Sequence, residues 1–184
     1  MTHRHTFSLA ALCLSTLGLG ACSSMGSPSM YSQALLPAAV QVPAGHKVAM
    51  ETVGIGQITY ECRAKKDMAA EHEWVFVGPD ATLQTRSGTV IGKYWGPPAT
   101  WENNDGSKVT ATQIAVAPVG LGNIPLQLVK ANPATGMGAM QGVTYIQRVA
   151  TKGGVAPSMA CGAANLGSKQ IVQYQADYIF WKAV

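Results

Sequence analysis

Val172-Gln173-Tyr174-Gln175-Ala176-Asp177-Tyr178-Ile179-Phe180 alternates with a period of two. Val172, Tyr174, Ala176, Tyr178 and Phe180 share one face, and Gln173, Gln175 and Asp177 lie on the other. Successive side chains point to opposite faces only in a strand, so this segment is read as a half-buried β-strand. A strand so apolar left at a sheet edge would invite aggregation, which argues that it is paired on both sides.

The same pattern recurs upstream. In Gly56 to Arg63, Ile58, Tyr60 and Cys62 face one way and Gln57, Thr59, Glu61 and Arg63 the other. Further strands are expected over 46–53, 72–77, 89–95, 108–116, 124–129 and 143–149, with a phase slip near Gln113 that suggests a bulge. Asn103-Asn104-Asp105-Gly106 is a turn, because Asp-Gly supplies the positive φ that tight hairpins need. No long amphipathic helix interrupts these segments. The expected fold is all-β: one sandwich or barrel of about seven to nine short strands, stapled by one disulfide.

The chain has 184 residues, 47% of them hydrophobic and only 12% charged, which is enough apolar material for one packed domain. The formal charge is +4 and thinly spread; Arg63, Lys65 and Lys66 form the one basic cluster. Nucleic-acid binding needs a basic stripe with many phosphate contacts, so that class is excluded.

The first residues carry Arg4 and two histidines, followed by an apolar run from Thr6 to Gly20. That run is too short to span a bilayer but has the length of a signal-peptide core. It ends Leu19-Gly20-Ala21-Cys22-Ser23, which resembles a bacterial lipobox. The resemblance implies cleavage before Cys22 and acylation of its thiol and new amino group. Each buried methylene adds about 0.8 kcal/mol, so such an anchor holds. Ser23, in place of Asp, resembles lipoproteins passed on to an outer membrane. The competing reading is ordinary cleavage near Ala21 and release. The expected organisation is a signal peptide over 1–21, a lipidated flexible tether over 22–41 with a short helix possible at Gln33 to Leu36, and a β domain over 42–184.

Four cysteines occur. Cys13 departs with the leader and Cys22 takes lipid, which leaves Cys62 and Cys161 in an oxidising compartment. A Cys62–Cys161 bridge is expected, closing a long loop for roughly 4 to 5 kcal/mol by the chain-entropy argument.

Several motifs recur together: Val42-Pro43; Gly56 to Cys62; Trp74 with Pro79-Asp80-Ala81-Thr82-Leu83; Trp101-Glu102 with Asp105-Gly106-Ser107; Ile146-Gln147-Arg148-Val149 with Thr151-Lys152-Gly153-Gly154; Ala156-Pro157; Cys161; and Tyr174 to Phe180. In this order they resemble the domain of unknown function 3455 family of exported proteins, over about Val42 to Trp181. The resemblance implies no activity, cofactor or catalytic residue, and its two spaced cysteines match Cys62 and Cys161. Members tend to carry a histidine and an aromatic ahead of a Gly-Pro-Thr-Trp-Glu run; here Tyr94 stands in the histidine's place, and the loop reads Gly96-Pro97-Pro98-Ala99-Thr100.

Chemistry is sparse. His46 and His72 are the two histidines left after processing, and strand alternation sets Glu71 and Glu73 on the face opposite His72. Metal ligands must converge, so no metal site and no cofactor are assigned. Met137 and Met140 are read as loop filler. The richest stretch is Tyr94 to Ser107, in which Tyr94, Trp95 and Trp101 stand beside Glu102, Asn103 and Asp105. Aromatic faces beside amides and carboxylates suit a sugar or peptide ligand. Arg148, in an otherwise apolar strand, needs a partner, and an ion pair with Asp177 is expected, Glu102 being the other candidate. Two functional readings result. One is a non-catalytic envelope lipoprotein that binds a glycan, a peptide or another envelope component, with the membrane reached through Cys22. The other is a polysaccharide hydrolase using Glu102 and Asp105 as its paired acids.

Overall fold

The computed structural model describes residues 31–184 together with Met1 and Thr2. The expected leader from His3 onward, Cys22 and the expected tether as far as residue 30 lie outside the described residues.

Eight antiparallel strands follow one another in chain order and close into a barrel: β1 (His46–Lys65), β2 (Met68–Gln84), β3 (Val90–Trp95), β4 (Thr100–Asn103), β5 (Lys108–Ala117), β6 (Leu126–Ala131), β7 (Val143–Gly153) and β8 (Lys169–Ala183). Of the two architectures expected, the barrel is the one formed. Closure removes free edges, and the apolar β8 is paired with β1 on one side and β7 on the other. The strands are less uniform than expected. The two segments read at 46–53 and 56–63 are one 20-residue strand, since Gly54 and Gly56 continue the pairing rather than break it. At Gly54 a glycine is required by space: a Cβ there would lie 2.5 Å from the Tyr178 ring. The phase slip near Gln113 is a register shift between Gln113 and Ala115. The stretch Thr100–Asn103, outside the expected strands, is strand β4.

The inner face holds the main core. Ile58, Tyr60, Leu83, Tyr94, Trp101, Val109, Val129, Ile146, Tyr174, Ala176, Tyr178 and Phe180 are buried there. The alternation of β8 is thereby confirmed, but its outer face is not solvent throughout: Asp177, Ile179 and Trp181 are also buried.

What covers that outer face is residues 31–42, expected as tether. Val40 and Val42 pack with Leu126, Leu128, Val149, Ile179 and Trp181 in a second apolar cluster outside the barrel. The segment contains a turn of 3-10 helix, Ala38–Val40, and no helix at Gln33 to Leu36, where a single turn bond runs from Leu36 N–H to the Gln33 carbonyl. Gln33 accepts from the Val42 amide at 2.7 Å and donates to its carbonyl at 2.8 Å. Tyr31 meets Trp181 edge-on. Residues 31–42 therefore belong to the folded domain, because burying each valine is worth about 1.5–3 kcal/mol against a chain left free.

One end of the barrel is plugged. The segment between β6 and β7 folds across it and inserts Met140, which is fully buried. Asp105 and Ser107, from the β4–β5 turn, hold this plug: the Ala139 amide donates to Asp105 Oδ2 at 2.7 Å and the Met140 amide to Ser107 Oγ at 3.1 Å. Near the other end, Cys62 and Cys161 are joined and pin the segment between β7 and β8 onto β1. Trp74 Nε1 donates to the Met159 carbonyl at 2.8 Å, and Gly167 N–H to the Cys62 carbonyl at 2.8 Å.

Candidate functional site: the open mouth of the barrel

The stretch Tyr94 to Ser107 does not form one surface. Strand alternation and the β3–β4 pairing divide it. Tyr94 and Trp101 point inward and stack with ring centroids 4.6 Å apart, both in contact with Tyr178. Trp101 is 1% exposed and offers no face to a ligand. Trp95 points outward, half-buried, with Lys93 Nζ 4.9 Å from its ring centroid. Asn103 lies toward the plugged end, where its Nδ2 approaches the Met50 sulfur at 4.0 Å and its Oδ1 accepts from the Asp105 amide at 3.2 Å. The exposed, coplanar tryptophan pair that a sugar platform requires is absent from this arrangement.

Glu102 and Asp105 have other employment. Glu102 Oε2 sits between Lys93 (3.5 Å) and Lys108 (3.3 Å). Asp105 accepts from the Ser107 hydroxyl at 2.6 Å, the Ser107 amide at 2.9 Å and the Ala139 amide. These bonds, the Ser107 hydroxyl first, hold its carboxyl below the usual aspartate range. A glycosidase acid needs the reverse, a carboxyl kept protonated by an apolar setting. Among the described residues no group of three metal-ligating side chains converges, and Glu71 is engaged by Lys65 at 2.6 Å.

The expected Arg148–Asp177 ion pair is not formed, for a reason of parity. In the β7–β8 register Arg148 lies opposite Tyr178 and Val149 opposite Asp177. Tyr178 is an inner residue and Asp177 an outer one, so Arg148 and Asp177 stand on opposite sides of the sheet. Asp177 pairs instead with Arg86 at 3.1 Å, and Arg86 also reaches Glu51 at 2.9 Å. Glu102, the other candidate, is taken by the two lysines.

Arg148 points into the barrel at its unplugged end. It lines a cavity of about 200 Å³ with Phe76, Pro79, Tyr94, Gly96, Pro97, Ala99, Ala111, Gln113, Gln127 and Val129. Five strands contribute, β2, β3, β5, β6 and β7, through their inner positions, and the β3–β4 turn adds Gly96, Pro97 and Ala99. Arg148 is half-buried. Its Nε and Nη2 both donate to the Pro125 carbonyl, at 3.2 and 3.0 Å. No carboxylate among the described residues pairs with it. Gln127, its neighbour across the β6–β7 ladder, donates to Gln113 Oε1 at 2.6 Å.

Beneath the cavity lies a cluster of phenols. Tyr174 and Tyr178 share a hydrogen bond of 3.1 Å, and Tyr60 donates to the Gly154 carbonyl at 2.8 Å. Burial pushes the phenols of Tyr60, Tyr94, Tyr174 and Tyr178 up, against the smaller opposing pull of the Arg148 charge. They stay neutral, so no anion inside the barrel answers the guanidinium.

Sequence reading marked Arg148 and Tyr94 but missed Phe76, Pro79, Gln113 and Gln127 as parts of one site. Gln127 was hidden by a misleading signal. Between Leu126 and Leu128 it reads as the solvent face of a strand, yet the leucines point outward beneath residues 31–42 and the glutamine points inward.

A family model described as "Protein of unknown function (DUF3455)" matches residues 43–182, and the chain belongs to that family. No curated protein and no solved structure matches the chain.

Proposed function

We propose that this DUF3455 protein is an exported lipoprotein, anchored by acylation of Cys22, whose barrel binds a small envelope molecule at its open mouth without transforming it. The observation that carries the binding half of this reading is the mouth cavity. It is concave, walled by apolar and aromatic side chains, and set with a few polar groups, the usual composition of a small-molecule site. Eight-stranded barrels are wide enough to hold one small ligand when side chains do not fill them to the rim. Plugging one end with Met140 while leaving the other open makes a cup rather than a channel. The anchoring half rests on the leader and the Leu19-Gly20-Ala21-Cys22 motif. A destination in the outer membrane follows from Ser23 on the same footing.

The test has two parts. Mass spectrometry of the membrane fraction should find the chain beginning at an acylated Cys22; a cleaved, unacylated amino terminus in the medium would refute the anchor. For binding, the full chain in neutral detergent is screened against envelope glycan fragments, peptides and small metabolites, beside Ala111→Phe, which fills the cavity. Retained binding in Ala111→Phe would place the site elsewhere and end the assignment of the mouth.

A further inference from the structure

We infer that Arg148 is the recognition group of the mouth and that the ligand it selects is a small carboxylate with a compact apolar or aromatic body. The inference rests on the reading of the mouth as the binding site and adds the chemical class of what enters.

A guanidinium carries five N–H donors in a planar fork. Two of those on Arg148 are directed at the Pro125 carbonyl. The other three have no acceptor among the described residues. The Pro125 carbonyl fixes the plane of the fork but supplies no charge. A half-buried cation with a neutral acceptor is incompletely compensated, and an entering anion gains the strong, charge-assisted geometry that the protein leaves unmade. Arg86 shows the contrast within the same molecule: outside the barrel, its guanidinium is met by the two carboxylates of Glu51 and Asp177.

The walls define the rest of the ligand. Phe76, Pro79, Pro97, Ala111 and Val129 offer apolar surface, and the Tyr94 ring lies among them. A cavity of about 200 Å³ admits a single ring or a short chain and excludes an oligosaccharide. The Gln113 amide nitrogen, whose carbonyl oxygen already accepts from Gln127, is a further donor in the cavity lining. Arg148 and Gln113 thus supply donors to the lining, and no carboxylate stands among its side chains. A planar carboxylate matches a planar fork with two parallel bonds, whereas a phosphate monoester brings a second charge that one guanidinium leaves uncompensated.

The experiment uses the full chain in neutral detergent and three probes of similar shape: benzoate, benzamide and phenyl phosphate. Calorimetric titration should show saturable benzoate binding, with benzamide weaker by about tenfold or more, since a bond to a charged group is worth roughly 1.5–3 kcal/mol. Arg148→Gln should reduce benzoate affinity by a similar factor and leave benzamide unchanged. Should Arg148→Gln fail to fold, the wild-type protein still decides the matter: the Arg148 Nε–H resonance should shift with benzoate and not with benzamide. Equal binding of benzoate and benzamide, both abolished by Ala111→Phe, would overturn the charge assignment and keep the mouth as a site. Tighter binding of phenyl phosphate than of benzoate would overturn the carboxylate class. No response to any probe, with binding of other envelope molecules lost in Ala111→Phe, would overturn the ligand class alone. No response together with Ala111→Phe-insensitive binding would overturn the mouth as well.

Discussion

The side-chain amide of Gln147 donates to the Val40 carbonyl at 2.6 Å, on the outer face of the barrel. Gln147 is fully buried, donates also to Gln33 Oε1 at 2.9 Å, and accepts from Trp181 Nε1 at 2.9 Å. One β7 side chain therefore ties residues 31–42 to β8. Gln147→Ala leaves the Val40 carbonyl and the indole N–H buried without partners, each costing about 1–3 kcal/mol. The expected loss is roughly 2–4 kcal/mol in urea unfolding. A loss below about 0.5 kcal/mol, the range of ordinary surface substitutions, would show that residues 31–42 do not stabilise the barrel.

Trp101 and Trp95 should respond to truncation in opposite ways. Trp101 is buried against Tyr94 and Tyr178, so Trp101→Ala opens a cavity in the barrel and should cost about 3–5 kcal/mol. Its Nε1 has no hydrogen-bond partner, and Trp101→Phe should cost less than a deletion of the whole ring system because it removes that orphaned donor. Trp95→Ala removes an outward ring beneath Lys93 and should stay within about 1 kcal/mol of the parent. Thermal unfolding of the three variants ranks them; equal losses at both positions would contradict the inward-outward division of β3 and β4.

The Cys62–Cys161 bridge closes a sequence separation of 99 residues. Opening it should cost roughly 4 to 5 kcal/mol by the entropy of the unfolded chain. The bonds from Trp74 and Gly167 remain and keep the β7–β8 segment docked. Reduced protein should therefore retain its far-ultraviolet circular dichroism and unfold at lower denaturant. An unchanged midpoint under reduction would refute the stabilising role.

Asp105 gives the plugged end a dependence on acid. Its carboxyl lies below its ordinary value chiefly through the Ser107 hydroxyl, with the Ala139 and Ser107 amides adding to it. A folded-state value below the unfolded one contributes stability that is complete above the unfolded pKa, near ~3.9, and is lost as the pH falls through the folded value. Stability measured from pH 5 downward should therefore fall on this account only under about pH 4. Asp105→Asn should flatten that part of the profile. Gly138→Ala attacks the same latch sterically, because an added Cβ would run into the Asp105 carboxylate, and its φ of +148° already disfavours a side chain. Loss of Met140 protection from oxidation in either variant would report the plug opening; unchanged protection in both would contradict the latch.

The sequence by itself determined the all-β class, the inner face of β8, the inner run Ile58, Tyr60 and Cys62, the turn at Asp105-Gly106, the slip at Gln113 and the disulfide. Each is a local or compositional matter: a period of two, a turn dipeptide, two leftover thiols. Tertiary structure alone decided that the sheet closes, that residues 31–42 bury the outside of β6 to β8, and that Arg148 looks into a cup rather than at Asp177. Alternation in one strand tells which residues share a face but not which face is inside, and it cannot do so where both are covered. At Leu126-Gln127-Leu128 the apolar side chains went outward because a distant segment lies over them, and the polar one went inward to the mouth. Parity relative to a partner strand is a property of the register, and the register is set by the whole barrel.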